Sequence, residues 1–403
     1  MTQTQTLPPA APSTLATVAI LLMASMTIMA NATISPSLPG LREHFADVPG
    51  IETLSGLLLT LPSLAILLTA GLWGSAADRL DRQKLLLASG LLYAIGGTSG
   101  LWAQSFGMML AGRAVLGLGV AGTMTLTMTW GVDLFHGPAR ARFLGRQGAA
   151  MSAGGIVVSI LGGALAALHW RGAFGVYLIV LPVMLVGLYA LKPYSAERQA
   201  RHEQRAAAPV AAGGFPWRAF AFVGPLSFFF MAVFYIMPTR APFHLANLGL
   251  HSPLMIGLVL AGMTMASIPG SLFYERLRRF LSPMAIFAGS YALMGIGMFL
   301  ISIATGPWGA FGGTLVMGLG MGPGMPNYTT YFMSEVPPAL RGRASGMLTT
   351  TFFAGQFASP LVSAPLVGRF GLVGAFQILA AAMVVLSVGL AVAALRQRRL
   401  GVA

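Results

Sequence analysis

Apolar residues in this chain come in long runs, without the strict alternation of strands or the narrow stripe of a surface helix. The runs lie near 14–36, 54–74, 84–104, 107–134, 146–168, 172–192, 217–237, 253–274, 283–304, 309–332, 344–367 and 372–395. Each reaches the length of about 20 residues that a helix needs to cross bilayer hydrocarbon. The pattern predicts an all-α integral membrane protein with twelve transmembrane helices. Residues 193–216 form the longest polar stretch and divide the runs six and six. An N-terminal six-helix bundle over 1–192, a cytoplasmic linker over 193–216 and a C-terminal six-helix bundle over 217–403 are therefore expected.

The connections differ in charge. GSAADRLDRQK, FHGPARARFLGRQ, the 193–216 stretch, YERLRRF, EVPPALRGR and the final RQRR carry nearly all the arginines. The alternate connections LREHFADVPGIE, AQSF, HWR, PTRAPFHLANLGLHSP, TGPWG and GRFG carry few. Cations gather on the cytoplasmic side of membrane proteins, so both termini are expected there, in a bacterial-type inner (plasma) membrane. The opening MTQTQTLPPAAPST lacks the basic start of a cleavable signal and is read as a short cytoplasmic tail.

Composition agrees and removes alternatives. Of 403 residues, 56% are hydrophobic and 8% charged. The net charge of +14 has no aromatic or Gly-rich interleaving to suggest nucleic acid, and the orientation signal accounts for it. With no cysteine, disulfides, thiolate zinc and thiol catalysis are excluded. The six histidines show no helical metal spacing, so no metal is expected. No phosphate-binding Walker loop and no Ser/His/Asp constellation can be found, which leaves no case for an enzyme or a cofactor.

An internal repeat supports the division into halves. DRLDR (78–82) recurs as ERLRR (275–279), each after a Gly-Ser pair, and DLFHGPARAR (133–142) recurs as EVPPALRGR (335–343). Duplicated six-helix units are common in secondary transporters. Gly74, Asp78, Arg79, Arg82 and Lys84 together resemble the signature of the major facilitator superfamily between its second and third spans, with Asp81 where the second glycine is usual. LAGRAVLGLGVAG (110–122) resembles that family's fourth-span signature, and Asp133 with Arg140 its acid-to-arginine pair. ISPSLPGL, HWRGAF and RGRASG are similar to the drug and arabinose-efflux type of exporter. The resemblance implies a monomeric transporter working by alternating access between two bundles, driven by an ion gradient. Val158-Ser159 stands where the antiporter signature would carry Gly-Pro, which weakens the implication of proton antiport.

Candidate residues follow. None of the ten acids, Glu43, Asp47, Glu52, Asp78, Asp81, Asp133, Glu197, Glu203, Glu275 and Glu335, falls near mid-membrane. A carboxylate in hydrocarbon is costly and is kept mainly for coupling or for cation binding, so a bare organic cation is disfavoured as substrate. Any proton carrier must be Asp133, Glu335, a histidine or an outer carboxylate. Arg113 is the embedded cation, either an anion anchor or modulator of a proton site, or a structural hydrogen-bond hub. Asn31 is a hydrogen-bonding contact or an interhelical packing residue. Asn327, Tyr328 and Tyr331 follow the GPGMP interruption, of the kind that often marks transporter sites, and Gln356 could join them. The gate is expected to use Gly74, Asp78, Arg79, Arg82, Asp133, Arg140 and Arg142, with Glu275, Glu335 and Arg341 as second-half counterparts. Arg240 and His244, beside Pro238 and Pro242, are expected in an outer loop. Thr123, Thr125, Thr127 and Thr129 cannot share one helical face, so some must bond back to their own helix.

Export of a small amphipathic or neutral-to-anionic compound is the favoured function. The alternatives are a facilitator or importer of a small organic anion, and, from another class, a receptor or lipid scramblase on the same fold.

Overall fold

Helices begin where the sequence supplies caps. Ser13, Ser105, Ser252 and Ser282 accept from the backbone N–H of Ala16, Met108, Met255 and Ala285. After Ser252 and Ser282 a proline occupies the first helical turn, where its missing N–H costs nothing. A computed structural model describes residues 12–202, 215–337 and 340–399. The elements are α1 (Thr14–Ala32), a 3₁₀ turn (Ser35–Ser37), α2 (Leu38–His44), α3 (Ile51–Arg79), α4 (Arg82–Gly97), α5 (Ser99–Trp102), α6 (Phe106–Leu134) and α7 (Gly137–Leu168). A second 3₁₀ segment (Trp170–Ile179) leads into α8 (Val180–His202). Then come α9 (Trp217–Phe234), α10 (Ile236–Asn247), α11 (Pro253–Leu272), α12 (Tyr274–Phe280), α13 (Pro283–Ser302), α14 (Pro307–Ser334) and α15 (Arg341–Arg399). No strand occurs among the described residues.

Ten helical segments of the described chain are long and apolar enough to cross a membrane. One of them, Arg341–Gln397, is broken at Gly371, whose φ of 70° suits glycine, and forms two spans. The 28-residue α14 completes the twelve. With an even number of crossings, both ends of the described chain lie on one face, called here the terminal face; the opposite one is the far face.

Each half has its own core. Ile20, Leu58, Tyr93, Leu116, Trp130 and Phe174 sit in one buried cluster, and Phe230, Phe287, Tyr291, Met294, Met317 and Tyr328 in the other. Helices approach closely where side chains are small, as membrane helices must when lipid offers no hydrophobic drive to associate. A Cβ on Gly119 of α6 would collide with the backbone of Tyr93 on α4.

Three of the prolines inside the spans show how a freed carbonyl is met. Pro62, Pro242 and Pro326 lack the N–H that would bond the carbonyl four residues earlier. Those carbonyls, on Leu58, Pro238 and Gly322, accept instead from Arg113 Nε, Ser35 Oγ and Ser271 Oγ. In hydrocarbon a freed carbonyl needs such a partner.

Two sequence expectations change. Arg240 and His244 are helical residues of α10, only 1% and 3% exposed, and lie in no loop. Helix continues past Pro238 and Pro242 because Ser35 satisfies the freed carbonyl and because both polar side chains find partners. His244 Nε2 lies 3.0 Å from the Ile301 carbonyl. The stretch read as a linker starts as helix, since α8 runs to His202, and residues 203–214 lie outside the described chain. The threonines of α6 do bond back: Thr123, Thr127 and Thr129 donate to Gly119, Thr123 and Thr125 carbonyls at 2.9, 2.7 and 2.6 Å.

Candidate functional site

The halves meet along α3 with the first limb of α15, and along α7 with α11. Contact is tight on the far side. A Cβ on Gly56 would come within 2.8 Å of Pro360 Cβ, one on Gly163 within 2.7 Å of the Pro253 carbonyl, and one on Gly257 within 2.6 Å of the Ser159 carbonyl. At the terminal ends of the same helices, a Cβ on Gly74, Gly145, Gly148, Gly342 or Gly346 would meet no atom within 4 Å. The halves pack closely on the far side, while these terminal-end glycines face open space.

Two hydrogen bonds cross the seam at mid-membrane. Thr60 Oγ1 donates to the Phe357 carbonyl at 3.4 Å, and Ser63 Oγ to Gln356 Oε1 at 3.0 Å. Ser63 lies twelve residues along α3 from Ile51, which at 1.5 Å per residue is about 18 Å below its far end. The Ser63–Gln356 pair thus stands at the ceiling of the space that opens toward the terminal face. Gln356 Nε2 lies 3.8 Å from Met231 Sδ of α9, so the glutamine ties its own half together as well.

Beside this ceiling Arg113 is completely buried. Its Nε donates to Leu58 O, and its Nη2 to Ala30 O and to Tyr177 Oη. Four spans of the first half, α1, α3, α6 and the segment leading into α8, converge on one guanidinium. Its Nη1 has no hydrogen-bond partner among the described residues. In the second half, Tyr291 donates to the Leu226 carbonyl at 2.6 Å and shares a 2.9 Å hydroxyl contact with Tyr328. Phe230, Phe287 and Phe352 surround the Tyr328 ring.

At the terminal face, Arg82 Nη1 meets Asp133 Oδ2 at 2.9 Å, its guanidinium 6.0 Å from the centre of the Trp130 ring. Asp81 Oδ1 caps α4 by accepting from Gln83 N at 2.8 Å. The aspartate in the place of the usual glycine therefore starts a helix.

The Major Facilitator Superfamily model matches residues 20–360. The chain belongs to the Major Facilitator Superfamily. Its 345-residue match to the class C tetracycline resistance protein of Escherichia coli is 28% identical and covers 82% of this chain and 84% of that one. The bacillibactin exporter of Bacillus subtilis (strain 168) is 30% identical over 149 residues, 35% of this chain and 36% of that one. Among solved structures, a D-xylose–proton symporter shares the fold with a TM-score of 0.72 at 16% identity, over 93% of this chain and 96% of its own. The human organic anion transporter MFSD10 does so with a TM-score of 0.64 at 18% identity, over 95% and 100%. This is a membrane transporter of that superfamily and not an enzyme.

Within this superfamily fold the residues singled out from sequence fall into separate groups. Arg113 and Gln356 lie at or beside the midplane seam. Asn31 lies on the last turn of α1, and its side chain is not among the described ones. Asn327 and Tyr328 turn into the second half: Asn327 donates to the Pro283 carbonyl and accepts from Tyr274 Oη, so it fastens α12 and the start of α13 to α14. Burial raises the pKa of that Tyr274 phenol, so it stays a donor at neutral pH. Tyr331 is half-buried against Phe222 and Phe287. Arg82 and Asp133 are brought together. Asp78, Arg79, Arg140, Arg142, Glu275, Glu335 and Arg341 are exposed at the terminal ends of their helices.

Sequence reasoning passed over Ser63, Tyr177 and Tyr291, and placed Arg240 and His244 of α10 in a loop. A signal was present for two of their contacts. The carbonyl four residues before an in-span proline must find a donor, and Arg113 and Ser35 are donors within the first half's far portions. Arg171 donates Nη1 to the Gly100, Leu101 and Ala103 carbonyls, where a cation suits a helix C-terminus.

Proposed function

We propose that this chain exports a small amphipathic or neutral-to-anionic compound by alternating access, with the terminal face cytoplasmic and the structure in its inward-open state. The arginine-rich connections at the terminal face support that orientation. The observation that carries the reading is the seam itself. Its contacts run from the far face down to Ser63–Gln356, and the terminal-end glycines face open space, which supports a midplane chamber open to one side. Transporters of this architecture hold substrate near the midplane between their halves.

The chemistry along the seam supports that substrate class. No carboxylate stands in the middle of any described span, while Arg113 is buried beside the ceiling with a free Nη1. Gln356 and Ser63 offer neutral hydrogen bonding, and Tyr331 a half-buried aromatic edge. The named functions of the tetracycline resistance and bacillibactin relatives support export. In this reading Asp78, Arg79, Arg82, Asp133, Arg140 and Arg142, with Glu275, Glu335 and Arg341, form the inner gate that closes when the far side opens. Proton coupling would run through Asp133, Glu335 or a histidine.

Transport into proteoliposomes, screened over anionic, neutral and cationic compounds at two pH values, tests this. Uptake of neutral or anionic compounds is expected, with permanent cations rejected; a permanent cation as the best substrate would sink the class assignment. A second reading, facilitated movement of a small organic anion, is favoured by the unpartnered Arg113 Nη1. Counterflow unchanged after the proton gradient is collapsed would select it.

A further inference from the structure

The far closure is built around one short helix. α10 belongs to the second half by sequence, yet Phe243 is buried in the first half's core and lies 5.1 Å beneath the guanidinium of Arg42. Arg42 is itself paired with Glu52 at 2.9 Å on the far surface. Pro238, left without an intrahelical donor by Pro242, takes its hydrogen bond from Ser35 of the first half. Thr239 Cβ sits 3.7 Å from where a Cβ on Gly56 would stand. At the centre of this helix is Arg240, 1% exposed.

The partners of Arg240 divide in two. Its Nε donates to Ser363 Oγ at 3.0 Å and its Nη2 to the Pro360 carbonyl at 3.3 Å, both in the second half. Its Nη1 reaches the Glu52 carbonyl at 3.3 Å and its Nη2 Thr53 Oγ1 at 3.5 Å, both in the first. The same-half pair includes the shorter bond and aims the guanidinium. The cross-half bonds are at the long end of the useful range, and charge assistance keeps them worthwhile only while water is excluded. On separation of the halves, Arg240 would exchange two weak acceptors for water and remain held to α15. An unpaired guanidinium kept in hydrocarbon would instead be expensive, so the bonds must break as water arrives.

We propose that α10 is the far-side plug of this transporter and that Arg240 is its latch, a positioning residue that stabilises the far-closed state by bridging Pro360 and Ser363 to Glu52 and Thr53. The proposal rests on the alternating-access reading. Other in-span cations do not do this: Arg113 bonds only within the first half.

The absence of native cysteine makes the test direct. Ser55 is buried on α3 beside the latch acceptors, and its hydroxyl has no hydrogen-bond partner, so Ser55→Cys is a mild reporter. Ser290, buried in the second half's core with an unpartnered hydroxyl, gives the control Ser290→Cys. Full-length protein in right-side-out membrane vesicles is treated with a membrane-impermeant methanethiosulfonate. Arg240→Ala should raise the Ser55→Cys labelling rate about tenfold, the shift made by a small change in a two-state equilibrium. Thr53→Val should raise it by a few-fold, and Arg240→Lys should fall between wild type and Arg240→Ala. The Ser290→Cys control should stay protected in all of them. If Arg240→Ala does not fold, Thr53→Val decides alone. Labelling within twofold of wild type in the folded variants would overturn the latch, as would equal exposure of Ser290→Cys, which would mean general loosening. Failure of the alternating-access reading registers separately, as absence of transport by the wild-type chain in the same vesicles.

Discussion

Arg82 and Asp133 form a 2.9 Å ion pair between the first residue of α4 and the terminal end of α6. The arginine side chain is 5% exposed and the aspartate 32%, so only one partner is truly desolvated. Arg82 Nη2 finds no acceptor among the described residues, which concentrates the dependence on Asp133.

Removal of the acid should therefore strand a buried cation. Breaking a fully buried pair costs about 3–5 kcal/mol, and solvent at Asp133 reduces this to roughly 2 kcal/mol. Asp133→Ala should lower the thermal midpoint in detergent by several degrees, and Asp133→Asn, which keeps an acceptor, by less. Equal midpoints for wild type and Asp133→Ala would show that the pair carries no stability.

Gly74 tests closure at the other end. Its Cβ space is empty in this state, so Gly74→Leu should fold with wild-type thermal stability. If the terminal ends of α3 and the second half must approach to complete the cycle, the same variant should transport at less than about a tenth of the wild-type rate, since a leucine cannot be overpacked into a helix seam without shifting backbone. Wild-type flux would remove Gly74 from the gate.

The sequence made the spans and the halves legible because membrane insertion is governed by local hydropathy and loop charge, both read residue by residue. Arg82 and Asp133 were each legible as gate residues, because charges at span ends have few places to go, but the sequence paired Asp133 with Arg140 and the partner it meets is Arg82. Arg240 was not legible. Pro238 and Pro242 read locally as breaks, and whether a proline ends a helix or merely frees a carbonyl depends on a donor 200 residues away, here Ser35. Tyr328 was misleading in the opposite sense. A polar aromatic residue after a Pro/Gly interruption suggests a cavity, but its hydroxyl partner Tyr291 sits on another helix and carries no sequence mark of its own.

Tyr328→Phe separates those meanings. Deleting one hydroxyl of the Tyr291–Tyr328 pair should cost about 1 kcal/mol of stability. Transport should stay within twofold of wild type, measured as initial rate. A rise in KM beyond fivefold would put Tyr328 in contact with substrate after all.

Gln356 is expected to behave in the reverse way. Gln356→Leu removes the acceptor of Ser63 at the chamber ceiling while leaving volume nearly unchanged. KM should rise at least several-fold with little change in thermal midpoint, whereas equal losses in kcat and stability would make it a packing residue.

Arg113 joins four spans through one guanidinium, and lysine cannot reproduce its fork. Arg113→Lys should destabilise the protein by about 3 kcal/mol, as loss of buried charge-assisted bonds does. Among folded molecules, anionic substrates should lose more affinity than neutral ones. Equal loss for both would assign Arg113 to structure alone.

Alternating access is tested most directly by two distances in the same molecule. Nitroxide labels on Asp47→Cys and Asn247→Cys report the far side, and labels on Lys84→Cys and Arg341→Cys the terminal side, all four positions being exposed. Electron–electron double resonance on protein in lipid nanodiscs should give a short far distance with a long terminal one, and Arg240→Ala should lengthen the first while shortening the second. Distances that stay fixed in every condition, or that lengthen together, would contradict the account.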